Sequence, residues 1–141
     1  MGVARASGHP FDGETDMLDH VSIGVRDVAA SRKFYDAALK PLGYECLAPG
    51  KDSAGYGRKS AQLWLIETEH PVKADARSGL HFCFVADSRK AVDGFYAAAI
   101  KAGGKDNGKP GLRADYSEDY YAAFVVDPDG YRLEAHCEKK E

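Results

Sequence analysis

The chain has 141 residues, of which 44% are hydrophobic and 29% charged, and its formal net charge at pH 7 is −3. These values are typical of one globular domain, or of two half-domains that share a core. The net charge excludes a basic surface for nucleic acid. The sequence also has no run of about 18 apolar residues, the length that a membrane-spanning helix needs. Three cysteines without a CxxC pair indicate reduced thiols in a cytoplasmic protein.

The first part of the chain predicts an arm, a strand and a helix. Residues 1–16 are polar and turn-rich, so we interpret them as an N-terminal arm or an extension. Residues 18–25 alternate apolar and polar side chains, as in a strand with one buried face. Asp27 is suited to cap the helix that follows. The apolar stripe of that helix consists of Ser31, Phe34, Tyr35, Ala38, Leu39 and Leu42.

The remaining elements follow from turn residues and apolar runs. Three short strands are expected next, at 44–47, 55–59 and 62–67, before a polar linker at 69–79. A strand at 80–86 then leads through the capping residue Ser88 into a second helix. Residues 104–117 are rich in Gly, Pro, Asp and Asn and are interpreted as a loop. Strands at 121–126 and 132–137 are joined by the tight-turn sequence Asp-Pro-Asp-Gly.

An internal repeat organises these elements. Residues 20–43 align without a gap on residues 81–104, and 8 of the 24 paired positions are identical. We therefore predict an α+β fold made of two βαβββ modules, at 17–68 and 80–138. The helices would cover the outside of a cup-shaped, mostly antiparallel sheet and leave its concave face free.

Three candidate metal ligands fall on that concave face. His20 and His81 occupy the same place in the two copies, and alternation puts Glu134 of the last strand on the same side. Two imidazoles and a carboxylate suit a divalent metal with open coordination positions. A single strand histidine is usually only hydrogen-bonded, but packing does not require one at the same point of both copies. The repeat therefore favours a metal site.

Two stretches, HVSIGVRDVAASRKFY and AAFVVDPDGYRLEAH, together with the paired modules, resemble the vicinal oxygen chelate superfamily over residues 18–137. That superfamily includes glyoxalase I, extradiol dioxygenases, fosfomycin-resistance enzymes and metal-free bleomycin-binding proteins. The resemblance implies a glyoxalase/dioxygenase-like fold and one divalent ion (Mn, Fe, Ni or Zn) held by His20, His81 and Glu134. It also implies that Glu134 transfers protons and that a homodimer completes each site with modules from two chains.

One position departs from the glyoxalase I pattern. That enzyme has a fourth ligand, a Glu, on the last strand of the first module, where this chain has Trp64. An indole does not coordinate a divalent metal, so we expect Trp64 to contact substrate. The other residues expected to bind substrate are Arg58, Arg113, Tyr116 and Tyr121, with Tyr56 and Tyr120 also near the pocket.

The sequence thus predicts a metal-dependent enzyme of the lyase or isomerase type that acts on a small oxygen-chelating substrate. Two alternatives stay open. One is an extradiol-type dioxygenase or thiol transferase that uses the same two-histidine, one-glutamate site. The other is a metal-free protein that binds a drug or another small molecule, as bleomycin-resistance proteins do.

Overall fold

A computed structural model describes residues 17–140, and the arm predicted for residues 1–16 lies outside this range. The first module consists of β1 (Val21–Val25), α1 (Val28–Leu39), a 3-10 turn (Lys40–Leu42), β2 (Glu45–Pro49), β3 (Ser53–Gly57) and β4 (Ala61–Glu67). The second consists of β5 (His81–Val85), α2 (Arg89–Lys101), β6 (Lys105–Leu112), β7 (Tyr121–Val126) and β8 (Arg132–Cys137).

Each module forms its own four-stranded sheet. The strand orders are β1-β4-β3-β2 and β5-β8-β7-β6, so the two sheets have the same topology. The first strand pairs in parallel with the last strand of its module, and the other pairs are antiparallel. The predicted α+β fold with two βαβββ modules is confirmed. Among the described strands, β1, β2, β5 and β6 lie at sheet edges.

Both helices begin after the predicted capping residues, and α1 buries its predicted apolar stripe. Asp27 accepts a hydrogen bond from the backbone N–H of Ala30, and Ser88 accepts one from Ala91, both at 3.1 Å. Such caps satisfy backbone donors that a helix leaves open at its start. Within residues 17–140, neither helix is long and apolar enough to cross a membrane. All six residues of the predicted α1 stripe are buried: Ser31, Phe34, Tyr35, Ala38, Leu39 and Leu42.

The loop predicted for residues 104–117 is wrong in its first half, where β6 spans Lys105–Leu112. This strand lies at the sheet edge and pairs with β7 through a register that shifts twice around Gly108. An edge strand tolerates Pro110 because one side of its backbone needs no partner, and bulges accommodate glycine. The composition that indicated a loop is therefore that of an irregular edge strand.

The turn between β7 and β8 locks the two modules together. Asp127 accepts hydrogen bonds from the backbone N–H groups of Asp129 and Tyr131, at 2.9 and 2.8 Å, and from the Tyr35 hydroxyl of α1. The Tyr131 hydroxyl donates to the Gly24 carbonyl at 2.6 Å. Buried apolar residues of both modules form one continuous core.

We expect the contribution of Asp127 to the stability of the chain to fall as pH rises from about 4 to about 6. Burial raises the pKa of this carboxyl to about 6 from its ordinary 3.8. The protonated Asp127 therefore contributes about 3 kcal/mol to the free energy of unfolding below pH 4. This contribution is lost as pH rises to the folded-state pKa. Urea unfolding of the wild type and Asp127→Asn between pH 4 and 8 measures this loss. The difference between the two proteins should change between about pH 4 and about pH 6 and stay constant above that, and parallel pH curves would contradict the expectation.

Candidate functional site

A carboxylate and an imidazole meet on the face of the second sheet that points away from α2. The His81 Nε2 and Glu134 Oε1 atoms are 3.0 Å apart. The two strands that carry them, β5 and β8, run parallel, and Glu134 lies opposite Cys83 in their register. The Glu134 side chain is only 4% exposed, whereas His81 is 42% exposed. A carboxylate this buried requires polar partners, and His81 supplies one of them from the solvent side.

Tyr120 supplies the second partner. Its hydroxyl donates a hydrogen bond to Glu134 Oε2 at 2.7 Å, so each carboxylate oxygen has its own contact. The Tyr120 ring stacks on the His136 ring with a centroid separation of 3.8 Å and an interplanar angle of 19°. Burial, followed by the bond to Glu134, raises the pKa of Tyr120 far above its ordinary value. The phenol is therefore a permanent donor at neutral pH.

The thiol of Cys83 lies beside the same carboxylate. Desolvation, reinforced by the charge of Glu134, raises the pKa of Cys83 to about 12. The thiolate is the nucleophilic form of cysteine, and at neutral pH it is almost unpopulated at such a pKa. Cys83 is consequently a weak nucleophile at this position.

An aromatic and a guanidinium extend the site toward the sheet edge. Phe124 lies opposite Glu134 in the β7–β8 register, and its ring stacks with that of His81 at a centroid separation of 6.0 Å. The Arg113 guanidinium lies 5.3 Å from the centre of the Phe124 ring. The absence of side chains at Gly108 and Gly111 makes room for this guanidinium. A Cβ at these positions would lie only 3.3 and 3.1 Å from the Arg113 nitrogens. The site therefore has a cation on one side.

His20 does not join this pair within one chain. It is exposed and directly precedes β1, and its Nδ1 lies 2.8 Å from Asp19 Oδ2. Among residues 17–140, no three His, Cys, Asp or Glu side chains are close enough together to hold a metal. Within one chain, the described structure therefore brings His81 and Glu134 together and leaves His20 apart from them. Alternation along a strand sets the face on which a residue lies, but not the distance between two sheets.

A groove between the modules brings the two histidines to a common opening. Its volume is ≈ 370 Å³, and both His20 and His81 line it. Most of its wall is apolar, and the Tyr44 hydroxyl crosses between the modules to the Val85 carbonyl at 2.7 Å. The apolar lining comes from both modules: Leu18, Val21, Leu39, Leu63, Phe82, Phe84 and Val85.

Strand register makes Trp64 the counterpart of Glu134. Trp64 lies opposite Ser22 in the first sheet, as Glu134 lies opposite Cys83 in the second. Ser22 and Cys83 are themselves paired by the sequence repeat. The indole is half-buried and packs over Gly55, where a Cβ would lie 2.9 Å from its ring. The first module thus presents a flat apolar surface where the second presents a carboxylate.

Two residues expected to bind substrate are occupied elsewhere. The Arg58 guanidinium pairs with Asp87 at 2.9 Å and so bridges the modules. Tyr121 donates to Asp93 of α2 at 2.6 Å, and alternation along β7 puts it on the face opposite Phe124. Tyr116 is 62% exposed and remains available at the rim.

The sequence analysis put Tyr120 near the pocket but did not foresee its bond to Glu134, and it did not name Phe124. A hairpin with a tight turn centred on Asp129 puts Phe124 opposite Glu134. The position of the turn in the sequence therefore already predicted this pairing. Tyr120 precedes β7, and no pattern in a loop predicts the direction of a side chain.

Comparison with known proteins places this architecture among characterised folds. The model of the Glyoxalase/Bleomycin resistance protein/Dioxygenase superfamily matches residues 17–135. The crystal structure of a glyoxalase/bleomycin resistance protein from Albidiferax ferrireducens T118 superposes with a TM-score of 0.75. The two sequences are 32% identical, and the match covers 86% of this chain and 98% of that one.

Two further relatives are more distant. The fosfomycin resistance protein FosX from Mesorhizobium loti is similar with a TM-score of 0.64 and 17% identity, over 88% of this chain and 93% of that one. At this identity the likeness concerns the fold alone. The uncharacterized protein YqjT of Bacillus subtilis (strain 168) is 25% identical over 122 residues, which are 83% of this chain and 95% of YqjT.

Proposed function

The chain belongs to the Glyoxalase/Bleomycin resistance protein/Dioxygenase superfamily, and on this basis we propose that it is a divalent-metal-dependent enzyme acting on a small oxygen-chelating substrate. The observation that carries the proposal is the contact between His81 Nε2 and the buried Glu134 Oε1 at 3.0 Å. Neutral imidazole and carboxylate are the donors that borderline divalent ions such as Mn, Fe, Ni and Zn accept together.

The donor chemistry fits such an ion, and the chain's own residues prepare its place. Glu134 would bind through Oε1, since Oε2 is held by Tyr120, and His81 would bind through Nε2. When bound, the ion supplies Lewis-acid polarisation of two adjacent substrate oxygens. Glu134 is the proposed proton acceptor, because it is the carboxylate buried against the open face of the sheet; to take up a proton, its Oε1 would partly leave the ion. Proton transfer by this residue favours lyase or isomerase chemistry.

The third donor in the proposal is His20 from a second copy of the chain. A single chain brings together two donors, and a metal enzyme of this type requires three. Sheet edges at β1 and β5 are unpaired among the described strands, and Val85 on β5 is 65% exposed. Exposed strand edges with apolar side chains are commonly covered by association. The proposed assembly is therefore a homodimer with two identical sites.

The surroundings support a substrate with an apolar body. The groove of ≈ 370 Å³ beside His81 has apolar walls from both modules. Trp64 is proposed as a further apolar wall, and Arg113 as the cation that meets a polar or negatively charged end of the substrate. Tyr116 would lie at the entrance. Arg58 and Tyr121 are left out because their polar atoms bind Asp87 and Asp93.

The proposal is tested by loading metal-free protein with Mn, Fe, Ni or Zn and offering three substrate classes. These are hemithioacetals of 2-oxoaldehydes, catechols with dioxygen, and epoxides with a thiol. We expect turnover of one class that depends on the metal and is abolished by a chelator. Failure to bind any of the ions, combined with tight binding of an aromatic drug, would favour the metal-free alternative, for which the apolar groove is the supporting observation.

Trp64→Glu is expected to separate metal binding from substrate binding. The variant places a carboxylate at the position that corresponds to Glu134, so the affinity for Ni²⁺ should be retained or increased. The affinity for the native ligand should fall, because the ligand loses an apolar wall of its site. Calorimetric titrations with Ni²⁺ and with the ligand measure both effects, and Trp64→Phe is the control that keeps an aromatic wall.

The unmodified protein should form little or no lactoylglutathione. Rapid formation by the wild type would show that this strand position is misinterpreted.

A further inference from the structure

Tyr120 is held in place from three sides. Its ring stacks on His136 at 3.8 Å, and the edge of Tyr116 packs against it at a centroid distance of 4.9 Å. Its backbone carbonyl accepts a hydrogen bond from the Arg113 N–H at 2.7 Å. A phenol fixed by both its ring and its backbone has lost its rotational freedom before any partner arrives. Tyr120 can therefore orient a flexible neighbour without itself moving.

That neighbour is the Glu134 carboxylate, whose terminal torsion is soft. A glutamate carboxylate has a broad, roughly two-fold torsional profile, so it can present either oxygen, or both, to a ligand. Here the phenol takes Oε2 at 2.7 Å, and Oε1 is left facing His81 at 3.0 Å. The hydroxyl thus selects one orientation of the carboxylate.

We infer that Tyr120 is a positioning residue, which fixes the Glu134 carboxylate so that a divalent ion at His81 meets one carboxylate oxygen rather than two. The inference rests on the proposed function, because it concerns how the chain prepares its metal donors. Hydrogen bonds to the carboxylates that ligate a metal orient them and tune the ion's affinity. A one-oxygen donor also leaves more coordination positions open for a chelating substrate.

A similar bond elsewhere in the second module serves as a comparison. The Tyr96 hydroxyl donates to Asp106 Oδ1 at 3.0 Å, between α2 and β6 on the exposed side of the protein. This pair has the same chemistry, but neither of its residues contacts His81 or Glu134 in the described structure. Removing the Tyr96 hydroxyl therefore reproduces the loss of a tyrosine–carboxylate bond without touching the metal donors.

The test compares Tyr120→Phe with Tyr96→Phe and the wild type. Phenylalanine keeps the ring that stacks on His136 and removes only the hydroxyl. Each protein is stripped of metal, and its affinity for Mn²⁺ and Co²⁺ is measured by calorimetry. The visible absorption of bound Co²⁺ reports its coordination, and thermal unfolding of the metal-free proteins reports their folding.

Tyr120→Phe should weaken the affinity for both ions roughly 10- to 100-fold and change the Co²⁺ spectrum. Tyr96→Phe should match the wild type in both measurements. If wild type and Tyr120→Phe bind equally, with the same Co²⁺ spectrum, the inference is overturned while the proposed function stands. If the wild type binds neither ion, the proposed function fails and this inference with it.

Discussion

His81→Ala is expected to remove nearly all divalent metal from the protein, with a loss of affinity of more than about 100-fold. The variant deletes the imidazole that lies 3.0 Å from Glu134 and leaves that buried carboxylate with the Tyr120 hydroxyl and the Cys83 thiol as side-chain partners. Of the three proposed donors, only Glu134 Oε1 and His20 of the second chain would then remain, too few to hold a borderline ion tightly. Elemental analysis after reconstitution with Mn, Ni or Zn measures the effect.

His70→Ala is the matched control for this experiment, since His70 is an exposed histidine of the segment that links the modules. It should retain the metal content of the wild type. Thermal unfolding of the metal-free proteins must accompany the analysis, because an unsatisfied Glu134 oxygen costs about 1–3 kcal/mol of stability. Equal metal content in folded His81→Ala and in the wild type would rule out the assigned donors.

A mixed dimer of one His20→Ala chain and one His81→Ala chain should bind half as much metal as the wild-type dimer, although neither variant binds metal by itself. If one chain supplies His20 and the other supplies His81 and Glu134, a mixed dimer contains one intact site and one site without either histidine. We expect about one ion per mixed dimer, about two per wild-type dimer, and close to none in either variant by itself. Coexpression with two different affinity tags isolates the mixed species for elemental analysis.

This complementation separates two arrangements that elemental analysis of single variants cannot separate. The two histidines line the same groove of one chain, so movement of the modules could in principle bring them together without a partner. In that case each mixed dimer would carry two damaged sites, and no metal would be recovered. A monomeric particle at high concentration in light scattering would likewise contradict the shared site.

The local structure of this chain was predictable because short-range rules decide it. Asp27 and Ser88 cap the helices, and the α1 stripe is buried, because a helix repeats every 3.6 residues whatever surrounds it. Alternation likewise put His81 and Glu134 on one face of the second sheet. The edge strand β6 was missed because its glycines, its proline and its bulges carry the composition of a loop.

The site was predictable only in part, for a geometric reason. The repeat pairs His20 with His81, but the relation between the two sheets depends on packing between the modules, which no periodicity encodes. Arg58 and Tyr121 show the same limit. Their side chains reach Asp87 and Asp93, which are distant in sequence and adjacent only once the chain has folded.

The turn that joins β7 and β8 makes the stability of each repeated half depend on the other half. Because Asp127 accepts the Tyr35 hydroxyl and Tyr131 reaches the Gly24 carbonyl, either half released alone would lose buried polar partners as well as its share of the common core. Unfolding should therefore be a single cooperative transition, and the slowest amide protons of β4 and β8 should exchange with solvent at the same free energy. The chain thus contains two copies of one sequence pattern and is expected to fold as a single unit.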